Sequence, residues 1–400
     1  MALRKNQRYL TAWEKQYFTD AVLALKAEKK PGNSLNTYDQ FVSWHQNNMD
    51  AGHFGPALFA WHRELLRRFE IELQRIMNDS TIGLPYWDWS VDNSQTSSIW
   101  ANDFMGGNGK ASESWAVTDG PFRRGNWELN VRDPGDPLYL RREFGPNPGA
   151  ASSLPTPANV QAALKATPYD VWNYSPNAQS GFRNMAEGNI PSPGGLMHIR
   201  VHAWVGGNMS SAFTSPNDPV FWLHHCYVDR LWSDWQILHP DQVAYLPREG
   251  APIKGHNLYD AMPPWTVRPV DVLSTWDHGY HYDTDGFLVP GEVLYPGQTI
   301  YSMGDHRYYL AYETDGNLRL WLRGWGNYLW QSSDSKKPLG KCTMESQGNL
   351  VIRDNNNNKI WESKTDGHPG SYLVVRPDGH ATINQPGVPK PIWIQPPEKG

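Results

Sequence analysis

Three histidines near the middle of the chain have the spacing of a metal site. His198 and His202 are four residues apart, so on a helix their imidazoles share one face and can bind one ion. Apolar residues around His225 recur at helical spacing, which places His225 rather than His224 on the inward face. The alternative is three ordinary core histidines. It is less favoured for three than for one, because every buried ring nitrogen needs its own partner.

A second set of three histidines lies nearer the N-terminus. His45 is predicted on a helix, His53 in a Gly-rich turn and His62 on the inward face of the next helix. Neither set has a carboxylate or thiolate ligand, which favours copper or zinc over calcium or magnesium. Three protein ligands leave one coordination position open, as catalytic metal sites do.

The elements that must position these histidines are mainly helical. Apolar periodicity predicts helices over residues 8–29, 37–48, 56–77 and 219–238, besides the one that carries His198 and His202. Pro56 suits the first turn of the third helix. A region rich in Gly, Asn and Ser follows Leu84-Pro-Tyr-Trp-Asp-Trp89 and runs to about residue 165, and its weak periodicity predicts irregular loop.

Length and composition limit the remaining choices. A chain of 400 residues favours two domains, and a net charge of −5 without a basic run disfavours nucleic acid or anionic membranes as partners. With only Cys226 and Cys342, a disulfide framework and a cysteine zinc cluster are excluded, whereas a single bridge stays open. No apolar leader and no run of transmembrane length is seen, which predicts a soluble protein made without its own secretion signal.

The last hundred residues have a different pattern. Gly-containing turns separate short alternating stretches, which is typical of β-hairpins. A motif recurs at residues 313–321, 345–353 and 376–384, and a tryptophan follows each copy, at Trp330, Trp361 and Trp393. Repeated β units that share one core are therefore expected.

The histidine motifs resemble the two copper signatures of the tyrosinase, catechol oxidase and haemocyanin family. His53 followed by Leu58-Phe-Ala-Trp-His-Arg-Glu-Leu-Leu-Arg-Arg-Phe-Glu70 is similar to the first signature. His198-x-x-x-His202 with Asp218-Pro-x-Phe-Trp-x-x-His225-x-x-x-Asp229 is similar to the second. The resemblance is to the short bacterial type and covers residues 8 to about 285.

This resemblance implies a multidomain chain whose residues 1–285 form a mainly α, four-helix-bundle domain with two copper ions in a type 3 site. It implies a small phenolic or catecholic substrate, with O₂ as the oxidant. The implied ligands of copper A are His45, His53 and His62, and those of copper B are His198, His202 and His225.

One departure from the family pattern bears on the substrate. Relatives that hydroxylate monophenols often have Asn after the first copper B histidine, paired with a Glu to polarise a water molecule. Glu187 matches the Glu, but Ile199 occupies the Asn position. An isoleucine side chain can neither orient the water molecule nor accept a hydrogen bond from it. We therefore expect oxidation of o-diphenols or o-aminophenols to dominate over monophenol hydroxylation. The alternative is that another residue or a water molecule fills the role.

Residues 286–400 resemble the bulb-type mannose-binding lectins, an all-β, threefold β-prism. The sugar motif of that family, Gln-x-Asp-x-Asn-x-Val-x-Tyr, is poorly kept, and the first repeat retains only Asp315 and Asn317. Carbohydrate is thus an uncertain partner, and the domain is a cap over the copper site, a structural partner or a weak glycan binder. A cap predicts that cleavage within residues 283–297 raises activity.

Three functional classes fit these features. The leading one is an oxidase that converts phenolic substrates to o-quinones. The alternative is a haemocyanin-like carrier of O₂, which uses the same six histidines but is disfavoured by a single copper domain. A glycan-binding protein with an inactive oxidase domain would require broken ligands, and none of the six is replaced.

Overall fold

The chain divides into two compact units. The computed structural model describes residues 1–145, 153–178, 180–188, 197–304 and 306–397. One unit is Asn6–Tyr280, and the other joins Met1–Lys5 to His281–Gly400. The boundary thus lies five residues before the predicted one at residue 285, and the first residues of the chain belong with the C-terminal unit. Strand β1, Ala2–Arg4, pairs there with β2, Tyr280–Tyr282.

The Asn6–Tyr280 unit is helical. Its described α-helices are α1 Ala12–Ala27, α2 Thr37–Asn47, α3 Met49–Gly52, α4 Leu58–Met77, α5 Pro157–Lys165, α6 Phe182–Glu187, α7 His198–Val205 and α8 Val220–Leu238. The four helices predicted from periodicity are present with ends shifted by no more than four residues. Helix α1 begins late because Thr11 and Glu14 form a capping box. Pro56 lies before α4 rather than in its first turn, since Ala57 is the N-cap.

Helix α5 corrects the expectation that the region between Trp89 and about residue 165 is irregular throughout. The helix begins at Pro157, and Thr156 forms a capping box with Asn159. Pro at the first helical position and a capping residue before it are readable start signals. The helix was not predicted despite these start signals, because apolar periodicity is weak in a helix only nine residues long.

Aromatic packing joins α4 to α8 in the core. Phe69 of α4 stacks on Trp222 of α8 with ring centroids 3.7 Å apart and planes 4° from parallel. The Trp222 indole N–H donates to the hydroxyl of Tyr38 on α2 at 2.9 Å. A buried Trp or Tyr must find a polar partner for its N–H or O–H. This bond satisfies the indole, and the Tyr38 hydroxyl donates in turn to the carbonyl oxygen of Pro216 at 2.6 Å. The three helices that carry His45, His62 and His225 are thereby packed together.

A buried ion pair fixes the start of α8. Arg142 donates from Nε and Nη2 to the two oxygens of Asp218, each at 2.7 Å, and both side chains are fully buried. Asp218 Oδ1 also accepts the N–H of Val220 at 3.1 Å, at the first residue of the helix. A carboxylate at a helix N-terminus satisfies N–H groups that lack a partner within the helix. The irregular segment before residue 145 therefore anchors the helix that carries His225.

The C-terminal unit is built from antiparallel β-sheets around one core. Its further strands are β3 Phe287–Leu288, β4 Val293–Leu294, β5 Thr299–Tyr301, β6 Tyr308–Tyr312, β7 Leu318–Leu322, β8 Tyr328–Gln331, β9 Gly340–Met344, β10 Leu350–Asp354, β11 Lys359–Glu362, β12 Tyr372–Val375, β13 Ala381–Asn384 and β14 Trp393–Gln395. Within the described residues they form three four-stranded sheets, ordered β5-β6-β7-β8, β4-β9-β10-β11 and β3-β12-β13-β14. Residues 283–297, the segment suggested for cleavage, contribute β3 and β4 to two of these sheets.

The repeat seen in the sequence corresponds to these sheets. Trp330, Trp361 and Trp393 contact one another, with ring centroids 5.5 to 6.2 Å apart, so each repeat contributes one ring to a shared cluster. The repeated glycine is needed for its backbone conformation. Gly316 has φ +85°, and a Cβ there would lie 2.3 Å from the carbonyl oxygen of Lys337.

Two expectations concern the whole chain. Cys226 and Cys342 are buried thiols and do not form a disulfide. In the ranges that the structure describes, no helix combines the length and apolar character needed to cross a membrane.

Candidate metal centre

The first histidine set converges from three elements. His45 lies on α2, His53 is the residue at the C-terminal end of α3, and His62 lies on α4. All three are buried, and one ring nitrogen of each lies within 4.8 Å of the others. The structure therefore brings together residues 45, 53 and 62, hereafter triad A, as the sequence predicted.

Backbone carbonyls determine which nitrogen each ring of triad A presents. The Nδ1 atoms of His45, His53 and His62 lie 2.9, 3.1 and 2.8 Å from the carbonyl oxygens of Phe213, Met49 and Leu58. A carbonyl only accepts hydrogen bonds, so each Nδ1 carries the proton and each Nε2 keeps its lone pair. This is the arrangement in which a metal-binding histidine donates its other N–H to a carbonyl.

The second set, His198, His202 and His225, converges on a single point and is called triad B. The Nε2 atoms are 3.1 Å apart for His198 and His202, 3.2 Å for His202 and His225, and 3.3 Å for His198 and His225. The centre of such a triangle lies about 1.9 Å from each corner, close to the ~2.0 Å of a metal–imidazole bond. His202 Nδ1 lies 2.9 Å from the carbonyl oxygen of Met209, which again leaves Nε2 as the ligand atom.

The unsatisfied nitrogens fit a metal. Nε2 of His45 and Nε2 of His62 are buried and have no hydrogen-bond partner among the described residues. A buried polar atom without a partner costs about 1–3 kcal/mol, and a cation that accepts the lone pair removes this cost. Burial also lowers the pKa of all six imidazoles, to about 4 for His45 and His202, so the rings are neutral at pH 7. Neutral imidazole is the form that binds copper.

His224 also lies close to triad B, and its hydrogen bond argues against a ligand role. The ring is fully buried and belongs to the same cluster of nitrogens. Its Nδ1 accepts the indole N–H of Trp89 at 3.1 Å, so the proton of neutral His224 resides on Nε2. This hydrogen bond therefore favours His225 over His224 as the third ligand of triad B. Helical phase in the sequence led to the same choice.

The two triads are adjacent. The rings of His62 and His225 are stacked, with centroids 4.2 Å apart and planes 13° from parallel. His62 and His198 follow at 6.5 Å. Two neighbouring three-imidazole sites suit a pair of metal ions that act on one small molecule.

The other two predicted site residues flank the triads. Ile199 lies on α7 between the two ligands of that helix, and both Ile199 and His202 are partly exposed. Glu187, at the end of α6, is buried, and burial raises the pKa of its carboxyl against the opposing charge of Arg183. Its oxygens accept from Arg183 Nη1 at 2.7 Å and from the backbone N–H of Phe54 at 3.1 Å.

The residues proposed for sugar binding lie far along the chain, in the β unit. Asp315 accepts from Arg319 Nη2 at 2.6 Å, and Asn317 is buried and donates to the carbonyl oxygen of Ser335 at 3.1 Å. Asp315 is therefore paired within the first repeat, and the amide N–H of Asn317 is bonded to the backbone beyond it.

Comparison with known proteins agrees with this geometry. Residues 35–238 match the family model described as the common central domain of tyrosinase. The tyrosinase of Streptomyces glaucescens is 45% identical over 300 residues, which is 71% of this chain and 100% of the relative. Grixazone synthase of Streptomyces griseus subsp. griseus is 36% identical over 323 residues, covering 71% of this chain and 99% of the relative.

Solved structures add the fold. A mutant polyphenol oxidase from Thermothelomyces thermophila has a TM-score of 0.56 at 23% identity, over 70% of this chain and 88% of that one. A lectin from Polygonatum cyrtonema has 30% identity over 26% of this chain and 92% of that one, with a TM-score of 0.24.

Fold, triads and relatives together define a copper oxidase with a dinuclear, all-histidine centre. The chain belongs to the tyrosinase family. It is a tyrosinase-type enzyme whose cofactors are two copper ions, and the haemocyanin-like alternative is not favoured.

The groups that hold these side chains in place were not predicted from the sequence. Arg183 and Glu187 are four residues apart on α6, an ion-pair spacing that could have been noticed. The contacts of Trp89 with His224 and of Phe54 with Glu187 join residues 135 and 133 positions apart, for which a single sequence carries no signal.

Proposed function

We propose that the enzyme oxidises o-diphenols, or o-aminophenols, to o-quinones in preference to hydroxylating monophenols. The observation that carries this proposal is the apolar Ile199 on the partly exposed stretch of α7, next to the ligands His198 and His202. A monophenol must lose its proton before it can be hydroxylated. With a pKa of about 10, roughly one molecule in a thousand is ionised at pH 7, so a base is needed.

Of the described residues that the family resemblance implies for this role, neither Ile199 nor Glu187 is a ready base. Ile199 has no polar atom with which to hold a water molecule. Glu187 is the other group implied by the family resemblance, and both of its oxygens already accept hydrogen bonds from the chain. An o-diphenol needs no new oxygen atom and is therefore less dependent on such a base.

The chain's own groups bind and orient rather than react. The carbonyls of Phe213, Met49 and Leu58 hold the triad A rings, while Phe221 packs against the ring of His225 in triad B with centroids 4.1 Å apart. The bound copper ions supply the electron transfer between substrate and O₂. Two o-diphenols lose four electrons and four protons, and O₂ takes them up to give two water molecules.

A direct comparison of substrates tests this proposal. We expect a higher kcat/KM for 4-methylcatechol than for 4-methylphenol, and a lag before the monophenol reaction reaches its steady rate, both followed by quinone absorbance and oxygen uptake. Equal rates on the two substrates without a lag would refute the preference and leave the copper centre unaffected.

We also propose the finer architecture. Helices α2, α4, α7 and α8, which carry His45, His62, His198, His202 and His225, would be the four helices of the copper-binding bundle. The three sheets with their shared tryptophan cluster would form a threefold β-prism.

For the β unit, we propose a structural role without mannose binding. An internal ion pair occupies the motif positions in every repeat: Arg319 with Asp315, Arg353 with Glu345 and Arg376 with Asp378. A sugar would have to break such a pair to reach the carboxylate. Titration with methyl α-mannoside, followed by calorimetry, is expected to give no binding up to millimolar concentration. Saturable binding that Asp315→Ala abolishes would refute this role.

A further inference from the structure

The carboxylate of Glu187 links a rigid buried network to the loop that carries His53. Oε2 accepts from Arg183 Nη1, and Oε1 accepts from the backbone N–H of Phe54, the residue directly after His53. Glu187 and Arg183 are both buried. The side chain of Glu187 therefore ties the end of α6 to the ligand loop.

Arg183 is itself held from several directions. Its Nε and Nη2 donate to the two oxygens of Asp170 at 2.9 and 3.0 Å, and Nη2 also donates to the carbonyl oxygen of Ser175 at 3.1 Å. Asn184 donates to Asp170 at 2.8 Å. A fork of charge-assisted hydrogen bonds has little freedom to move, so Glu187 starts from a fixed base.

The backbone that Glu187 holds is a strained one. Phe54 has φ +61°, in the left-handed region that side chains other than glycine rarely adopt. Its own side chain is 41% exposed, so burial of the ring does little to enforce this conformation. Strained backbone persists where the surroundings hold it in place, and the described contact at this N–H is with Glu187.

His53 is the triad A ligand most dependent on such support. His45 and His62 lie within α2 and α4, where helical hydrogen bonds fix the backbone. His53 lies just beyond the four-residue helix α3, in extended conformation, with φ −141° and ψ 168°. A change at Phe54 therefore moves the imidazole of His53 while leaving the other two ligands in place.

We propose that Glu187 is a positioning residue for copper A: it holds Phe54 in the left-handed conformation and so presents His53 to the metal. This role needs no water molecule and no contact with substrate. It concerns the established copper cofactor and does not depend on the preference for o-diphenols.

The test measures Cu(I) affinity by competition with a chelator, one site at a time. His225→Gln removes a ligand of triad B and leaves triad A intact. His62→Gln removes a ligand of triad A and leaves triad B intact. We expect Glu187→Ala to weaken copper binding at triad A about tenfold, because the free-energy cost of a left-handed non-glycine residue corresponds to a factor of about that size. The affinity of triad B should not change.

A rescue variant separates this role from others. Phe54→Gly, added to Glu187→Ala, should restore the affinity of triad A because glycine adopts positive φ without strain. Phe54→Ala removes the same ring but keeps Cβ, so it should not restore the affinity. If Glu187→Ala does not fold, Glu187→Asp takes its place. This variant retains the charge that faces Arg183, but its side chain is too short to reach Phe54 as well. We again expect weaker Cu(I) binding at triad A alone and rescue by Phe54→Gly.

Any one of three results would overturn the proposal. The first is an unchanged Cu(I) affinity of triad A in a folded Glu187→Ala or Glu187→Asp variant. The second is a loss of affinity that is equal at both triads. The third is a loss that Phe54→Gly and Phe54→Ala relieve to the same extent.

Discussion

Ile199→Asn replaces an apolar side chain beside the copper ligands with one that can donate and accept hydrogen bonds. The residue lies directly after His198 and one turn from His202 on the partly exposed side of α7. An amide at this position can hold a water molecule that takes the proton of a bound monophenol. We expect the variant to gain monophenol hydroxylation relative to diphenol oxidation.

The size of the gain follows from the local structure. General base catalysis typically contributes about 10²–10⁴-fold to a rate. Glu187, the second group of the water-polarising pair in relatives, is engaged by Phe54 and Arg183, so the new amide would act largely alone. We therefore expect the ratio of kcat/KM for 4-methylphenol to that for 4-methylcatechol to rise about tenfold, which is less than the usual contribution of a complete general base. The cost in stability is about 1 kcal/mol, because Ile199 is only half-buried.

The assay is oxygen uptake on copper-loaded protein, with both substrates at several concentrations. Ile199→Val is the matched control, since it alters the size of the side chain without adding a polar atom. An unchanged ratio in the Asn variant with both copper ions bound, or an equal rise in the Val variant, would refute the reasoning.

Three further predictions concern the ligands and the fold. His224→Gln should keep two copper ions per chain and His225→Gln one, measured by metal analysis after dialysis; the reverse result would reassign the ligand. Arg142→Met should lower the free energy of unfolding by about 3–5 kcal/mol because it leaves Asp218 buried without its charge partner, whereas Arg124→Met, at an exposed pair, should change it little. In the β unit, burial lowers the pKa of His281, but the adjacent Glu292 and Asp285 raise it above 6.5 overall, so protonated His281 stabilises the fold. This stability should be present below pH 6.5 and be lost as pH rises through the raised pKa, and urea unfolding of His281→Gln should lack this dependence.

Local patterns predicted the parts of the site that local structure determines. The spacing of His198 and His202 and the helical phase of His225 were readable because helix geometry fixes which residues share a face. The repeat of the β unit was readable because each copy has the same turn and the same tryptophan.

The rest depends on contacts between distant residues. Nothing near residue 53 indicates that Glu187 will hold the next N–H, and nothing near residue 224 indicates that Trp89 will donate to it. The pairing of β1, Ala2–Arg4, with β2, Tyr280–Tyr282, likewise joins segments that lie far apart in the sequence. Such contacts arise from the packing of whole elements, which a single sequence does not encode in any local window.

We propose that two copper ions, one in each triad, act together to oxidise o-diphenols with O₂. The most direct test is to titrate metal-free protein with copper while recording oxygen uptake and quinone formation with 4-methylcatechol. We predict that activity rises until two copper ions are bound per chain and that two quinones form for each O₂ consumed. Full activity at one copper ion per chain, or reversible O₂ binding without quinone, would contradict it.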